Sequence, residues 1–128
     1  MLLENKTAVI TGCNRGIGRA MLETFANNGA DIFACGREKT NEFLELKAKL
    51  EVKTGVSINV VYFDLTESDQ IKAGIRAIVS SGRKIDVLVN NAAMTGASKN
   101  SDYSEKFNKQ SLATWNRALN INLTSVFD

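Results

Sequence analysis

The feature that most constrains this chain is a glycine-bearing turn between an apolar run and an amphipathic segment. The run Thr7–Ile10 predicts a buried strand, and the turn Thr11–Gly18 follows it directly. The next residues recur at helical spacing and predict a buried helix face made of Ile17, Ala20, Met21, Thr24 and Phe25. A strand that passes into a helix through glycines is typical of α/β proteins with a parallel sheet.

Each glycine of this turn has a separate predicted task. Gly12 can adopt backbone angles that are closed to other residues as the strand ends. Gly16 has no side chain, so an anion can approach the backbone, and Gly18 allows the helix to pack closely on the sheet. The free amides and the positive end of the helix dipole then face that anion. A glycine-rich turn without a ligand is the alternative, but the position between strand and helix favours a phosphate cradle.

Strand and helix patterns continue to alternate after the turn. The predicted elements are a strand over Asp31–Cys35, a helix over Lys39–Lys53, a strand over Val56–Phe63, a helix from Thr66 to Gly82, a strand over Ile85–Val89 and a helix from Ser111. Parallel strands need crossover helices, so we expect a Rossmann-type doubly wound α/β sheet with strand order 3-2-1-4. The pattern stops after four strands, and residues 1–128 therefore read as one partial domain, truncated at the C-terminus.

The helices have predicted buried faces. In the helix over Lys39–Lys53 the buried face is Phe43, Leu46 and Leu50. In the helix from Thr66 it is Ile71, Ile75, Ile78 and Val79, and in the helix from Ser111 it is Trp115, Leu119, Leu123 and Val126. Thr66, with Asp69 in the third position after it, has the layout of a capping box. Residues 95–110 are polar and predict a loop. The fourth strand would be an unpaired edge in such a sheet, and we expect Trp115 to anchor the core.

Composition excludes several functions. The net charge of +2 without a basic stripe gives no reason to expect a nucleic-acid or membrane partner. There is no histidine, and the two cysteines, Cys13 and Cys35, suggest neither a disulfide framework nor a metal site. Cys13 lies near a helix start, where the pKa of a thiol can fall, but a small buried filler is the favoured interpretation. A reducing cytoplasm is the expected location.

Four ordered motifs resemble the short-chain dehydrogenase/reductase family. Thr11–Gly18 matches the family's Thr-Gly-x-x-x-Gly-x-Gly pattern, and Asp64-Leu65 resembles its acidic contact to adenine. Asn90–Ala93 resembles its Asn-Asn-Ala-Gly motif with alanine in the last position, and Trp115–Phe127 resembles its fourth helix. The similarity covers essentially the whole chain. Within the family, the chain looks most like the bacterial reductases of β-ketoacyl-acyl carrier protein.

The resemblance implies an oxidoreductase that transfers hydride between a nicotinamide cofactor and a small carbonyl or alcohol substrate. It also implies a homo-oligomer, a dimer or a tetramer, for the full-length form. The residues that it assigns to cofactor binding are Gly12, Asn14, Arg15, Gly16, Ile17, Gly18, Arg37, Asp64, Leu65, Asn91 and Ala92.

Residues at the end of the second strand favour NADP (NADPH) over NAD. An acidic residue at this corner would bind the ribose hydroxyls of NAD, but Gly36 stands there and Arg37 follows. A guanidinium fits a 2′-phosphate, and Arg15 could reach the same phosphate from the turn, with Lys39 as a weaker candidate. The alternative is that these are solvated loop charges.

The family's proton-transfer pair, Tyr-x-x-x-Lys, is not in the sequence, because Thr66 and Phe107 stand four residues after the two tyrosines. Of the family's catalytic set only an asparagine is present. Asn122 is preferred to Asn120 because it falls on the predicted buried face of the last helix. A local backbone partner for Asn122 is the alternative. We therefore expect a fragment that is inactive by itself, with a non-catalytic dinucleotide-binding module or a half-enzyme completed by another chain as the other hypotheses.

Overall fold

The computed structural model describes residues 1–95 and 104–128, and part of the predicted polar loop lies outside these ranges. Its elements, in chain order, are β1 (Thr7–Thr11), α1 (Gly16–Asn27), β2 (Asp31–Gly36), α2 (Asn41–Thr54), β3 (Ile58–Tyr62), α3 (Ser68–Val79), β4 (Val87–Val89), a single 3-10 turn (Phe107–Lys109), α4 (Leu112–Leu119), a π-helical turn (Asn120–Thr124) and α5 (Ser125–Phe127). The strands form one sheet in the order β3-β2-β1-β4. The predicted Rossmann-type fold and strand order are confirmed.

All strand pairs are parallel, so the carboxyl ends of the four strands meet at one edge of the sheet. β1 lies in the middle, with Thr7 beside Asp31 and Thr11 beside Cys35. Within the described residues β4 pairs only with β1 and forms one of the two outer strands, so it is an unpaired edge, as predicted. The side chain of Leu88 in β4 is 61% exposed.

The two faces of the sheet bury different amounts of apolar surface. Alternate residues of the strands point to opposite faces, so Ile10 and Val9 belong to different clusters. The larger cluster lies under α1 and α2 and includes Leu22 and Leu50. The smaller cluster lies toward α3, where Ile78 is buried with its strand neighbours. The groove end of β1 is therefore held on the α1 side by a well-filled core.

The predicted buried face of α1 was wrong by one position. Gly18, Leu22 and Ala26 are buried, whereas Ile17 is 71% exposed. Of the other predicted residues, Met21 and Phe25 are half-buried at the core margin, and Ala20 and Thr24 are exposed. The reason is the close approach at Gly18, which turns that side of the helix toward the sheet.

The start of α3 also differs from the prediction. The side chain of Thr66 does not cap the helix; instead its N–H and hydroxyl both donate to Oδ1 of Asp64, at 2.8 Å each. The helix begins at Ser68 with no side-chain cap. Ile71 and Ile78 are buried as expected, but Ile75 and Val79 are 44% and 66% exposed.

The last helical segment deviates most from the prediction. Ala118 and Ser125 are its buried residues. The four residues of the predicted stripe are exposed, at 57% for Trp115, 42% for Leu119, 67% for Leu123 and 49% for Val126. Trp115 is therefore not a core anchor in this chain. The π-helical turn over Asn120–Thr124 shifts the helical phase, so one stripe cannot run through the whole segment. Along the described ranges no helix is long and apolar enough to cross a membrane.

Asp86 joins β1 to β4 at the amino-terminal edge of the sheet. Its Oδ2 accepts from the N–H of Thr7 at 3.1 Å, and its own N–H donates to the Thr7 carbonyl at 2.9 Å. Nζ of Lys84 is 2.9 Å from Oδ1, and Nζ of Lys6 is 3.5 Å from it. The Lys84 and Thr7 hydrogen bonds, with Lys6 nearby, lower the pKa of Asp86 to about 2.

This lowered pKa predicts a pH-dependent contribution to stability. The contribution is complete above the ordinary aspartate pKa and is lost as the pH falls toward about 2, because the unfolded chain then binds the proton first. Asp86→Asn should lower the urea midpoint at pH 7, followed by far-UV circular dichroism, and the gap from the parent chain should narrow between pH 5 and pH 3. Glu45→Gln, the same charge change on an exposed residue of α2, should leave the midpoint unchanged. A gap that is constant with pH would contradict this assignment.

Candidate functional site

A groove of about 1150 Å³ opens at the carboxyl edge of the sheet, where β1 lies between β2 and β4. All the residues that the sequence assigned to cofactor binding line it, namely Gly12, Asn14, Arg15, Gly16, Ile17, Gly18, Arg37, Asp64, Leu65, Asn91 and Ala92. The lining also includes Arg117 of α4 and Ile121 of the π-helical turn, which sequence reasoning missed. Parallel α/β sheets bind ligands at this place, where the winding direction reverses.

The floor of the groove is held by hydrogen bonds between the ends of β1 and β4. Oγ1 of Thr11 accepts from the N–H groups of Asn91 and Ala92, both at 3.0 Å. Nδ2 of Asn91 donates back to the carbonyls of Thr11 and Gly12, at 3.0 and 3.1 Å. These contacts, which we call the Thr11–Asn91 clasp, fix the glycine turn against the segment after β4. In the sequence, the signal for this clasp is Thr11, the residue in the first position of the glycine pattern.

The three glycines of the turn have different backbone geometries and surroundings. Gly12 has φ +68°, and a Cβ there would lie 2.8 Å from Cα of Ala92. A Cβ on Gly18 would collide with the carbonyl oxygen of Gly12, so α1 can pack this closely only with glycine at this position. Gly16 has φ +55°, and nothing lies within 4 Å of its would-be Cβ. The space above Gly16 is therefore open to a ligand.

The amino-terminal end of α1 lacks a side-chain cap. Arg15 is the N-cap residue with an extended backbone, and the first turn contains no acidic residue. In α2 and α4, by contrast, the hydroxyls of Thr40 and Ser111 accept from backbone N–H groups of the first turn. The first amides of a helix need acceptors, and here they face the groove beside Gly16. This end of the groove fits a diphosphate.

Two arginines line the groove, one directly after β2 and one at the start of α1. Arg37 follows Gly36 and is ion-paired with Glu38, whose Oε1 is 3.0 Å from Nη2. Arg15 is exposed at the start of α1. A Cβ on Gly36 would meet nothing within 4 Å, so the corner where an acid was expected is empty space. At the place where β2 ends, the groove therefore presents the guanidinium of Arg37 with the Glu38 carboxylate paired to it, and no acidic side chain at position 36 itself.

Asp64 lines the groove within electrostatic reach of Arg37 and of Arg117 in α4. Burial would raise its pKa, but the two hydrogen bonds from Thr66, together with Arg37 and Arg117, outweigh burial and lower it. Its N–H donates to Oε1 of Gln70 at 3.0 Å. Asp64 is thus a charged, fixed acceptor at the groove wall, able to receive a hydrogen bond from a ligand.

Asn122 pairs with the backbone of the segment that follows β4. Its Oδ1 accepts from the N–H of Met94 at 2.7 Å, and its Nδ2 donates to the Met94 carbonyl at 3.1 Å. Asn122 was expected to point inward among apolar residues; it is instead an exposed residue held by this two-bond contact. Asn120, expected to face solvent, is half-buried. The side chain of Asn122 therefore connects the π-helical turn to the groove-lining residue Met94.

Cys13 and Cys35 are buried behind the groove. Burial is the main reason that the pKa is raised to about 11 for Cys13 and to about 12 for Cys35. Sγ of Cys13 donates to the carbonyl of Ile10 at 3.6 Å. The two thiols are protonated packing groups, which supports the interpretation of Cys13 as a filler. Among residues 1–95 and 104–128, no group of three or more histidine, cysteine or carboxylate side chains could hold a metal ion.

Fold and groove together define a Rossmann-type α/β protein. The family model described as short chain dehydrogenase matches residues 6–128, and the chain belongs to that family. A 3-oxoacyl-[acyl-carrier-protein] reductase from Chlamydia trachomatis is 31% identical over 128 residues, which is 99% of this chain and 48% of that protein.

Solved structures extend the comparison. L-sorbose reductase from Gluconobacter frateurii, complexed with NADPH and L-sorbose, superposes with a TM-score of 0.82 at 30% identity over 98% of this chain and 44% of that one. A blue fluorescent protein from a metagenomic library, in complex with NADPH, gives 0.83 at 29% identity over 99% and 49%. The chain spans about half the length of the curated relatives that it matches.

The Thr11–Asn91 clasp predicts a specific loss of stability. Thr11→Val keeps the shape of the side chain but leaves the N–H groups of Asn91 and Ala92 facing a methyl group. We expect the free energy of unfolding to fall by about 1 to 2 kcal/mol, measured by urea denaturation. Thr11→Ser retains the hydroxyl and should recover most of that loss. If the valine and serine variants are equally stable, the hydroxyl does not hold this edge together.

Proposed function

We propose that this chain is the cofactor-binding half of an NADP-dependent short-chain oxidoreductase that interconverts carbonyls and alcohols. The observation that carries the proposal is the uncapped start of α1 beside Gly16, open to the groove at the reversal point of the sheet. A helix N-terminus with no side-chain acceptor of its own is suited to bind an anionic group. The nicotinamide complexes of two similar structures are consistent with that ligand.

Each end of the groove has a role in this proposal. The amides near Asn14, Gly16 and Ile17 bind the diphosphate, and the clasp keeps them at a fixed distance from Asn91 and Ala92. Asp64 and Leu65 contact the adenine, because they lie on the wall between β3 and α4. The chemistry that a bound nicotinamide supplies is hydride transfer at one carbon of its ring. The chain itself binds, orients and shields that cofactor.

NADP is preferred over NAD because of the charges at the end of β2. Arg37 and Arg15 provide guanidinium groups for a 2′-phosphate, whereas Gly36 offers no carboxylate to the ribose hydroxyls. A phosphate beside arginine gains charge-assisted hydrogen bonds that a hydroxyl does not. The difference between the two coenzymes should therefore depend mainly on Arg37.

Asn122 is proposed as the residue of this chain nearest to the chemistry. Its two hydrogen bonds to Met94 fix the π-helical turn at the groove wall, where a backbone group can help to orient a proton path. The Tyr-x-x-x-Lys pair must come from outside these 128 residues. A non-catalytic dinucleotide-binding module, or a half-enzyme completed by another chain, would use the same groove without that pair in the same polypeptide.

The exposed apolar residues support contacts with further protein in the functional assembly. Leu88 at the sheet edge and Trp115 and Leu123 of the last helical segment are each more than half exposed. An unpaired edge strand such as β4, and apolar side chains exposed along one helical segment, are suited to contact with further protein. We propose that additional chain and a homo-oligomeric contact, in a dimer or a tetramer, cover these residues in a cytoplasmic enzyme that acts on a small-molecule substrate.

Arg37→Ala tests the proposed cofactor preference. The variant should bind NADPH about tenfold or more weakly, because a charged phosphate contact is lost, and NADH within about twofold of the parent, measured by fluorescence titration. Arg76→Ala removes the same charge from exposed α3, outside the groove, and should change neither affinity. Equal losses for both coenzymes would remove the 2′-phosphate assignment, and no binding of either coenzyme by the parent would refute the proposed function.

Gly36→Asp should invert the preference. The corner is open and its backbone angle is not left-handed, so an aspartate fits without strain. Its carboxylate can accept from the ribose hydroxyls of NADH and repels the 2′-phosphate of NADPH. We expect the ratio of NADPH to NADH affinity to fall by about tenfold or more. Gly36→Asn, with the same shape and no charge, should move the ratio far less, and an equal effect of both variants would point to sterics.

A further inference from the structure

The Arg37 guanidinium is already engaged by an acid of the chain itself. Nε of Arg37 donates to Oε1 of Glu38 at 3.2 Å, and Nη2 lies 3.0 Å from the same oxygen. Both side chains are well exposed, and both residues line the groove. The carboxylate therefore sits on one edge of the guanidinium, the edge formed by Nε and one terminal nitrogen.

A phosphate group that binds the guanidinium side-on, through Nε and one terminal nitrogen, would use this same edge. Guanidinium groups bind carboxylates and phosphates through two adjacent nitrogens, so the two anions compete for the same donors. We infer that Glu38 is an internal competitor for Arg37, which a 2′-phosphate must displace, so that Glu38 sets how strongly the groove prefers NADPH over NADH. This inference rests on the proposed function of the groove and adds a residue that determines its specificity.

Neighbouring charges make Glu38 the relevant acid. Asp64 is the other acidic residue of the lining, and its Oδ1 is bound by the N–H and hydroxyl of Thr66. No hydrogen bond joins Asp64 to Arg37 in the described structure, although the two charges interact at longer range. Glu38, by contrast, has its oxygen on the donors of Arg37. A change at Glu38 should thus affect Arg37 more directly than a change at Asp64.

The two coenzymes differ in what they require of this ion pair. NADPH must replace the Glu38 carboxylate with its 2′-phosphate, and a carboxylate left beside a phosphate repels it. NADH brings no phosphate to this corner, so the pair can stay intact. The pair is exposed and weak, which allows the displacement but still reduces affinity for NADPH. Removing the carboxylate should therefore strengthen binding of one coenzyme only.

Glu38→Gln is the direct test, with NADPH and NADH titrated into the 128-residue chain and its variant by fluorescence. We expect NADPH to bind about three- to tenfold more tightly to the variant, and NADH to stay within about twofold. The control Glu45→Gln has the same charge change on exposed α2, outside the groove, and should alter neither affinity. A similar rise for both coenzymes would show a general charge effect and overturn the inference.

A double-mutant cycle separates competition for Arg37 from other effects. In the Arg37→Ala background, Glu38→Gln should no longer improve NADPH binding, because the guanidinium donors for which Glu38 and the 2′-phosphate compete are gone. If the improvement persists there, Glu38 does not act through Arg37. If Glu38→Gln leaves NADPH affinity unchanged while the parent binds the coenzyme, the inference fails and the proposed function stands. If the parent binds neither coenzyme, both fail.

Discussion

The hydrogen bonds between Thr11 and Asn91 are the constraint on which the rest of the site depends. They join the ends of two strands that are about 80 residues apart in the chain and adjacent in the sheet. Because the clasp fixes the glycine turn, Gly12 can keep a left-handed backbone in contact with Ala92. Gly18 then lies directly against the Gly12 carbonyl, and this contact sets the position at which α1 leaves the sheet. The direction of the helix amides into the groove follows from that position.

Several of these features lower stability in return for an open binding surface. Gly12 and Gly16 have left-handed angles that other residues adopt only with strain, and α1 begins without a side-chain cap. Proteins tend to break the local rules of stability at functional sites. The uncapped amides and the empty space over Gly16 belong to this class. The chain provides side-chain acceptors at the starts of α2 and α4, through Thr40 and Ser111, whereas α1 and α3 begin without one. The fold stabilises the site through the core under α1 and α2.

The sequence predicted the strand order, the glycine turn and many of the groove-lining residues, because these depend on short-range patterns and on parallel topology. It did not predict which side of α1 faces the sheet, since the close contact at Gly18 is a tertiary effect. It also failed over the last helical segment, where the π-helical turn interrupts the 3.6-residue period that placed Trp115 and Leu123 on one buried stripe. The partner of Asn122 was out of reach, because Met94 is 28 residues away and no local spacing marks the pair. The bonds from Thr66 to Asp64 have the two-residue spacing of an Asx turn, and this local contact replaced the predicted capping box.

Because the strands are parallel, the charged groups at the two edges of the sheet have different roles. At the amino-terminal edge, Asp31 accepts from Ser57 and Arg83, and Asp86 joins the first and last strands. The groove opens at the opposite edge. The two edges can therefore be adjusted independently: substitutions around Asp31 can change stability while leaving the groove intact, and combinations across the sheet should be additive in free energy. Such modularity would let one sheet carry grooves of different chemistry without a change at the edge that holds its strands together.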